Sequence, residues 1–180
     1  YVGGDIMTLI FCCTQKQSKL FREKLSKYNV NIIDSSCDQL DENLPVVVTI
    51  PEGTFYAKVT PERIIDVYRG HAADLKIQTA RLYDVDMEKY MSEPKYRKIV
   101  QSFYTHMDQI TEWDSAHLKA ALDQFATLHK ELKLHVFSAI KIALLKTTRC
   151  PLLEDVLEAL GKEEVEQRLE DFSTNYKARI

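Results

Sequence analysis

Apolar positions change their spacing near residue 70. Before it, short extended runs alternate with one helical pattern. Ile6 to Phe11 reads as an apolar strand, and Lys16 to Tyr28 carries Leu20, Phe21, Leu25 and Tyr28 at helical spacing. Val30 to Ile33 predicts a short strand, and the polar stretch Asp34 to Asn43 a loop. Val46-Val47-Val48 and Thr54 to Val59 then read as a hairpin about the turn Pro51-Glu52-Gly53. Thr60 fits an N-cap and Pro61 the first helical position, where a missing N–H costs nothing. The order β-α-β-β-β-α predicts a small open-sheet α/β unit.

Beyond Gly70 and His71 the pattern contains no strand. His71 to Tyr90, Lys95 to Ile110, Asp114 to Leu132, Val136 to Lys146, Leu152 to Leu160 and Lys162 to Phe172 all repeat at helical spacing. Pro151 opens one of these helices, and Gly161 stops it. Trp113, the only tryptophan, precedes Asp114 or Ser115 as N-cap and reads as an anchor packed beside a helix start. The expected class is α+β, with an α/β domain over 1–70 and an all-α bundle over 71–180.

Composition adds exclusions. The 180 residues are 45% hydrophobic and 28% charged, as in an ordinary globular protein, and no apolar run is long enough to span a membrane. A net charge of −3 argues against nucleic-acid binding driven by bulk charge, but allows a local basic patch. Cys12, Cys13, Cys37 and Cys150 are too few and scattered for a secreted disulfide scaffold, so a reducing or organellar interior is expected. The start at Tyr1 fits a processed or trimmed chain.

The stretch Pro45-Val46-Val47-Val48, Pro51-Glu52-Gly53, Tyr56 and Val59-Thr60-Pro61-Glu62 resembles the end of the thioredoxin-like [2Fe–2S] ferredoxins. That family includes the small iron–sulfur subunit of respiratory NADH dehydrogenase. The resemblance covers residues 5 to 70 and implies a thioredoxin-like sheet. It also implies four cluster cysteines, of which this chain keeps few. Cys37 stands at one ligand position, Asp41 occupies the next, and Cys12 and Cys13 stand at a third, with Gln17, Ser18, Lys24 and Leu25 where their partner is due. A cluster needs four thiolates, so Cys12, Cys13 and Cys37 are expected to be vestigial ligand positions with no cofactor bound. Cys12 and Cys13 also read as small buried hydrophobes at a strand end. Because the family fold brings the two loops together, the resemblance allows a thiol pair between Cys37 and either Cys12 or Cys13.

A second likeness covers residues 111 to 172. Trp113, the helix through Leu118 and Leu122, Ile140-Lys141-Ile142-Ala143-Leu144, Pro151-Leu152, Val156-Leu157, Leu160-Gly161-Lys162-Glu163 and Arg168-Leu169 resemble the anticodon-binding region of bacterial and organellar glutamyl-tRNA synthetases. The family usually has Arg in place of Lys141 and a Thr-Gly pair in place of Leu145-Lys146. His71-Ala72-Ala73-Asp74 lacks the nucleotide-binding signature of a synthetase, so aminoacylation is not expected and the chain reads as no enzyme.

Charge is segregated in this half. Lys130, Lys133, Lys141, Lys146 and Arg149 stand against Glu131 alone, whereas Glu154 to Asp171 holds eight acidic and two basic residues. The basic set is the candidate RNA contact, through phosphate rather than sequence reading. His117, His129 and His135 show no carboxylate or cysteine at ligand spacing, so no metal is assigned. No catalytic triad, glycine-rich phosphate loop or paired-carboxylate motif is present. Two modules stripped of their chemistry suggest a structural subunit of a large organellar assembly. A mitochondrial ribosome comes first, with protein subunits and rRNA or tRNA as partners. A respiratory-complex accessory subunit and a thiol or iron–sulfur redox protein are the alternatives.

Overall fold

A computed structural model describes residues 6–78, 87–149 and 151–178 of the chain. It divides into two compact units, Tyr1–Thr79 and Ala80–Ile180. The division falls after Thr79 rather than at Gly70, because the segment after Gly70 packs with the first unit. Lys76 bridges Tyr56, the Ala57 N–H donates to the Leu75 carbonyl at 2.8 Å, and the Ile77 N–H donates to Phe55 at 2.8 Å. The expected helix His71–Tyr90 is therefore corrected over its first residues, which form a 3-10 turn at Ala73–Leu75. Its stretch 79–86 lies outside the described residues.

The first unit is a four-stranded mixed sheet of order β2-β1-β3-β4. β1 (Thr8–Cys12) and β2 (Asn31–Ser35) are parallel, joined across the sheet by α1 (Gln15–Leu25). β3 (Val46–Ile50) runs antiparallel to β1, and β4 (Thr54–Tyr56) antiparallel to β3. Every residue of β1 and β3 is buried, Thr8 and Thr49 included, which explains why both read as mainly apolar runs rather than alternating ones. One core joins Leu9, Phe11 and Val47 of the sheet to Phe21 and Leu25 of α1 and to Ile64 and Val67 of α2 (Ile64–Arg69), with Phe11 and Phe21 edge to face at 5.3 Å.

α1 begins with a capping box that the periodicity did not announce. Thr14 accepts from the Gln17 N–H at 3.2 Å, and the Gln17 side chain accepts from the Thr14 N–H at 3.0 Å. The helix expected from Pro61 starts later, at Ile64, because Thr60–Arg63 closes a turn in which the Arg63 N–H donates to Thr60 at 3.0 Å. Arg63 then reaches back to Asp66 at 3.1 Å and forks onto Asp74 at 2.8 and 2.9 Å. Gly70, at φ 74°, ends α2 in the left-handed conformation that glycine tolerates best.

Among the described residues the second unit is helical: α3 (Met87–Ser92), α4 (Pro94–His106), α5 (Ser115–Thr127), α6 (Lys133–Leu145), α7 (Leu153–Leu160) and α8 (Lys162–Ala178). α4 packs on α6 and α8, and α5 on α7. Phe103 and Phe125 meet at 5.3 Å in a core that includes Leu118, Leu122, Ile140, Val156 and Leu169. Helix α6 is apolar almost all round, with seven buried residues, which is the pattern of a central helix. The observed class is thus α+β.

Candidate nucleic-acid interface

The five basic residues expected to form one stripe fall at the two ends of α6 and along it. Lys130 lies exposed in the connection after α5, and Lys133 is the first residue of α6. Lys146 and Arg149 follow the last turn. Thirteen residues at about 1.5 Å each separate the ends of α6 by about 20 Å. Lys133 is already engaged, forming an ion pair with Asp123 and lying 5.3 Å over the Phe137 ring. Lys141 is half-buried on α6 itself. Lys146, past the last turn, is exposed, and Arg149 beyond it is half-buried.

The backbone at that end is held by local hydrogen bonds. Lys146 caps α6 in the left-handed conformation, φ 59° and ψ 30°, with its N–H donating to Ile142 at 2.9 Å. The Arg149 N–H donates to the Thr147 hydroxyl at 3.0 Å. The last carbonyls of α6 receive a side chain from α8, since Arg168 Nη1 donates to the Leu144 carbonyl at 2.9 Å while its Nε holds Glu164 at 2.9 Å. Arg168 thus closes the helix end from inside the unit and is spent on it.

The cysteines have a different outcome. Cys12, at the end of β1, is joined to Cys37 in a disulfide, which resolves the pairing in favour of Cys12. The two are 1% and 5% exposed. Cys13 is a free thiol, and burial first, then Asp34, pushes its pKa up to about 11, only partly opposed by Arg22. Around it Ser18 donates to Asp34 at 2.6 Å and Arg22 pairs with Asp34 at 2.7 Å. Such a thiol is protonated at neutral pH and is a poor nucleophile. Asp41 lies in the 3-10 segment Asp38–Asn43 that follows Cys37. Cys150 lies outside the described residues.

Trp113 anchors as its position suggested, donating from Nε1 to the Leu157 carbonyl at 2.7 Å and so pinning the start of α5 to α7. Asp114 is the N-cap, accepting from the His117 N–H at 2.9 Å. The sequence expectation that no carboxylate stands at ligand spacing from a histidine fails here. His117 Nδ1 is 2.8 Å from Asp114, and its Nε2 is 3.1 Å from Glu112. The helix start bends Glu112 and Asp114 around one ring, a proximity that the spacings of five and three residues did not disclose. The hydrogen bond and charge of Asp114, then the charge of Glu112, hold the His117 pKa above its ordinary value. The His117 backbone N–H, and after it the imidazole, hold the Asp114 carboxyl low.

Comparison with known proteins identifies the helical region. The anticodon binding domain family matches residues 70–173. Glutamate--tRNA ligase 1 of Petrotoga mobilis (strain DSM 10674 / SJ95) is 29% identical over 83 residues, which cover 46% of this chain. The match spans only 18% of that ligase's length. With more than half of its residues inside the family match, the chain belongs to the anticodon binding domain family.

Proposed function

We propose that the chain is a non-catalytic accessory subunit that binds RNA through its helical unit within a large organellar assembly, in the first instance a mitochondrial ribosome. The observation that carries the reading is the family match over 70–173, which joins an RNA-recognition module to an N-terminal sheet unit of separate build. The N-terminal unit is read as a thioredoxin-like ferredoxin fold that has lost its cluster. The β2-β1-β3-β4 order, with α1 crossing between parallel strands, supports that ancestry, as does the joining of two ligand positions, Cys12 and Cys37, to each other. Burial of both sulfurs suits a structural crosslink better than an exchanging one. RNA contact runs through phosphate, because the cations at the end of α6 are not interleaved with exposed aromatic rings.

The test is the salt dependence of binding to a structured RNA, followed by fluorescence anisotropy. Lys141→Gln, Lys146→Gly and Arg149→Gln together remove the cations without straining the backbone, since φ 59° suits glycine. Every cation–phosphate pair taken away lowers the slope of log K against log salt by about 0.7 to 0.9. The triple variant is expected to lose about two units of slope and most of its affinity. Unchanged binding and slope would remove this surface from the reading and favour attachment through protein alone, as in a respiratory complex.

A further inference from the structure

We propose that Glu112, Asp114 and His117 form a binding site for a transition-metal dication of the zinc class, on the connection that leads into α5. Each residue offers one donor atom, and the three donors lie within 4.8 Å of one another. Donors bound to one zinc at about 2.1 Å stand about 3.4 Å apart, so closure needs only small rotations of exposed side chains. The side chains of Glu112, Asp114 and His117 are 65%, 45% and 57% exposed, which leaves an open entry path and room for water at the remaining positions.

Three features make the group more than a helix cap. The helix amides are satisfied without using up the carboxylates, because Asp114 Oδ1 accepts from the His117 N–H and Glu158 accepts from the Ser115 N–H. Asp114 Oδ2 lies 2.8 Å from His117 Nδ1, so a cation entering there replaces that one contact between two of its own donors. The carboxylates of Asp114 and Glu112, 2.8 and 3.1 Å from the two ring nitrogens, supply the negative charge that a dication meets there. Finally, an imidazole nitrogen with two carboxylate oxygens favours zinc, cobalt or nickel over calcium or magnesium, which want oxygen alone. Three exposed protein donors make an exchangeable site, unlike the closed four-ligand sites that hold folds together.

The only tryptophan, Trp113, stands between two of the ligands in sequence and is fixed by its bond to Leu157, so it serves as the reporter. The full chain, freed of metal by chelator and exchanged into plain buffer, is titrated with Co²⁺ or Ni²⁺ while Trp113 fluorescence is followed. Zn²⁺, which does not quench, is then added as competitor. Saturable quenching reversed by Zn²⁺ is expected. Glu112→Gln and His117→Gln should each weaken it about tenfold or more, at least the effect of losing an outer-shell partner. Glu112 caps no amide, so its variant tests the site without loosening α5, and an unchanged Trp113 emission maximum checks this. Exposed His71, in the other unit, supplies the control His71→Gln, which should bind as the parent does. Quenching that does not saturate at millimolar metal overturns the proposal. So does quenching lost with His117→Gln but kept with Glu112→Gln, the behaviour of a lone surface histidine.

Discussion

In the N-terminal unit the groups with chemical potential are tied to one another. Cys12 is bonded to Cys37, Arg22 and Ser18 converge on Asp34, and Arg63 is shared between Asp66 and Asp74. In the helical unit the charged groups gather at the ends of helices, where His117 meets Asp114 and Glu112 and Lys133 meets Asp123. Lys130, Lys146 and Arg149 lie in the connections around α6, and Glu112 and His117 flank the start of α5. A sheet buried on both faces has few places for an unpaired charge, whereas each helix end presents backbone groups that draw in charged partners. The sheet unit is thus the one ordered by a covalent bond as well as by ion pairs.

The largest expected effect tests how much that order depends on its crosslink. Cys37→Ala opens a loop with a sequence separation of 25, for which chain entropy alone gives a loss of about 3.5 kcal/mol. Amide exchange in β1 and β3 should accelerate accordingly. Protection unchanged by the substitution would show that strand pairing, rather than the bond, holds the segment from Cys37 to Pro45.

A smaller effect sharpens the helical side. Trp113→Phe removes the Nε1 donor, but the Leu157 carbonyl still accepts from the Gly161 N–H at 3.1 Å. The loss should therefore be about 1 kcal/mol, a single hydrogen bond rather than an orphaned buried carbonyl. Chemical denaturation of the variant measures it, and a loss of about 3 kcal/mol would mean the indole ring itself carries the packing of α5 on α7.

The smallest effect concerns Cys13. Its thiol pKa is raised from 9.0 to about 11, so the protonated form is favoured in the folded chain. The associated stability is present below pH 9 and is lost as pH rises through 11. Iodoacetamide should label Cys13 slowly at about pH 8, with a rate that climbs toward pH 11. Early labelling as fast as that of a free cysteine would show the site to be open, and the contrast between the units would narrow.

Much of this was legible from spacing. The order of the elements, the positions of β1, β3 and α5 to α7, and the anchoring of Trp113 follow from periodicity and cap residues. The start of α2 was misplaced because Thr60-Pro61 carries start signals that a tight turn uses equally well. The extension of the first unit past Gly70 leaves no periodic trace, because Lys76 and Ile77 join the sheet edge through single backbone contacts. The Glu112, Asp114 and His117 group escaped because metal spacing rules assume regular helix or strand, and here the chain turns into a helix between the ligands. The basic set read as one stripe divides because α6 holds its ends about 20 Å apart.

Lys146 bears on how such a surface arises. The glutamyl-tRNA synthetase pattern that this region resembles places glycine where this chain holds Lys146, and the backbone there keeps a glycine-like φ of 59°. An L-residue in that conformation costs about 1 kcal/mol relative to glycine. Lysine held in that turn sets its cation beside the carbonyl end of α6, where the helix dipole favours positive charge, so the same residue that strains the backbone also complements the helix end.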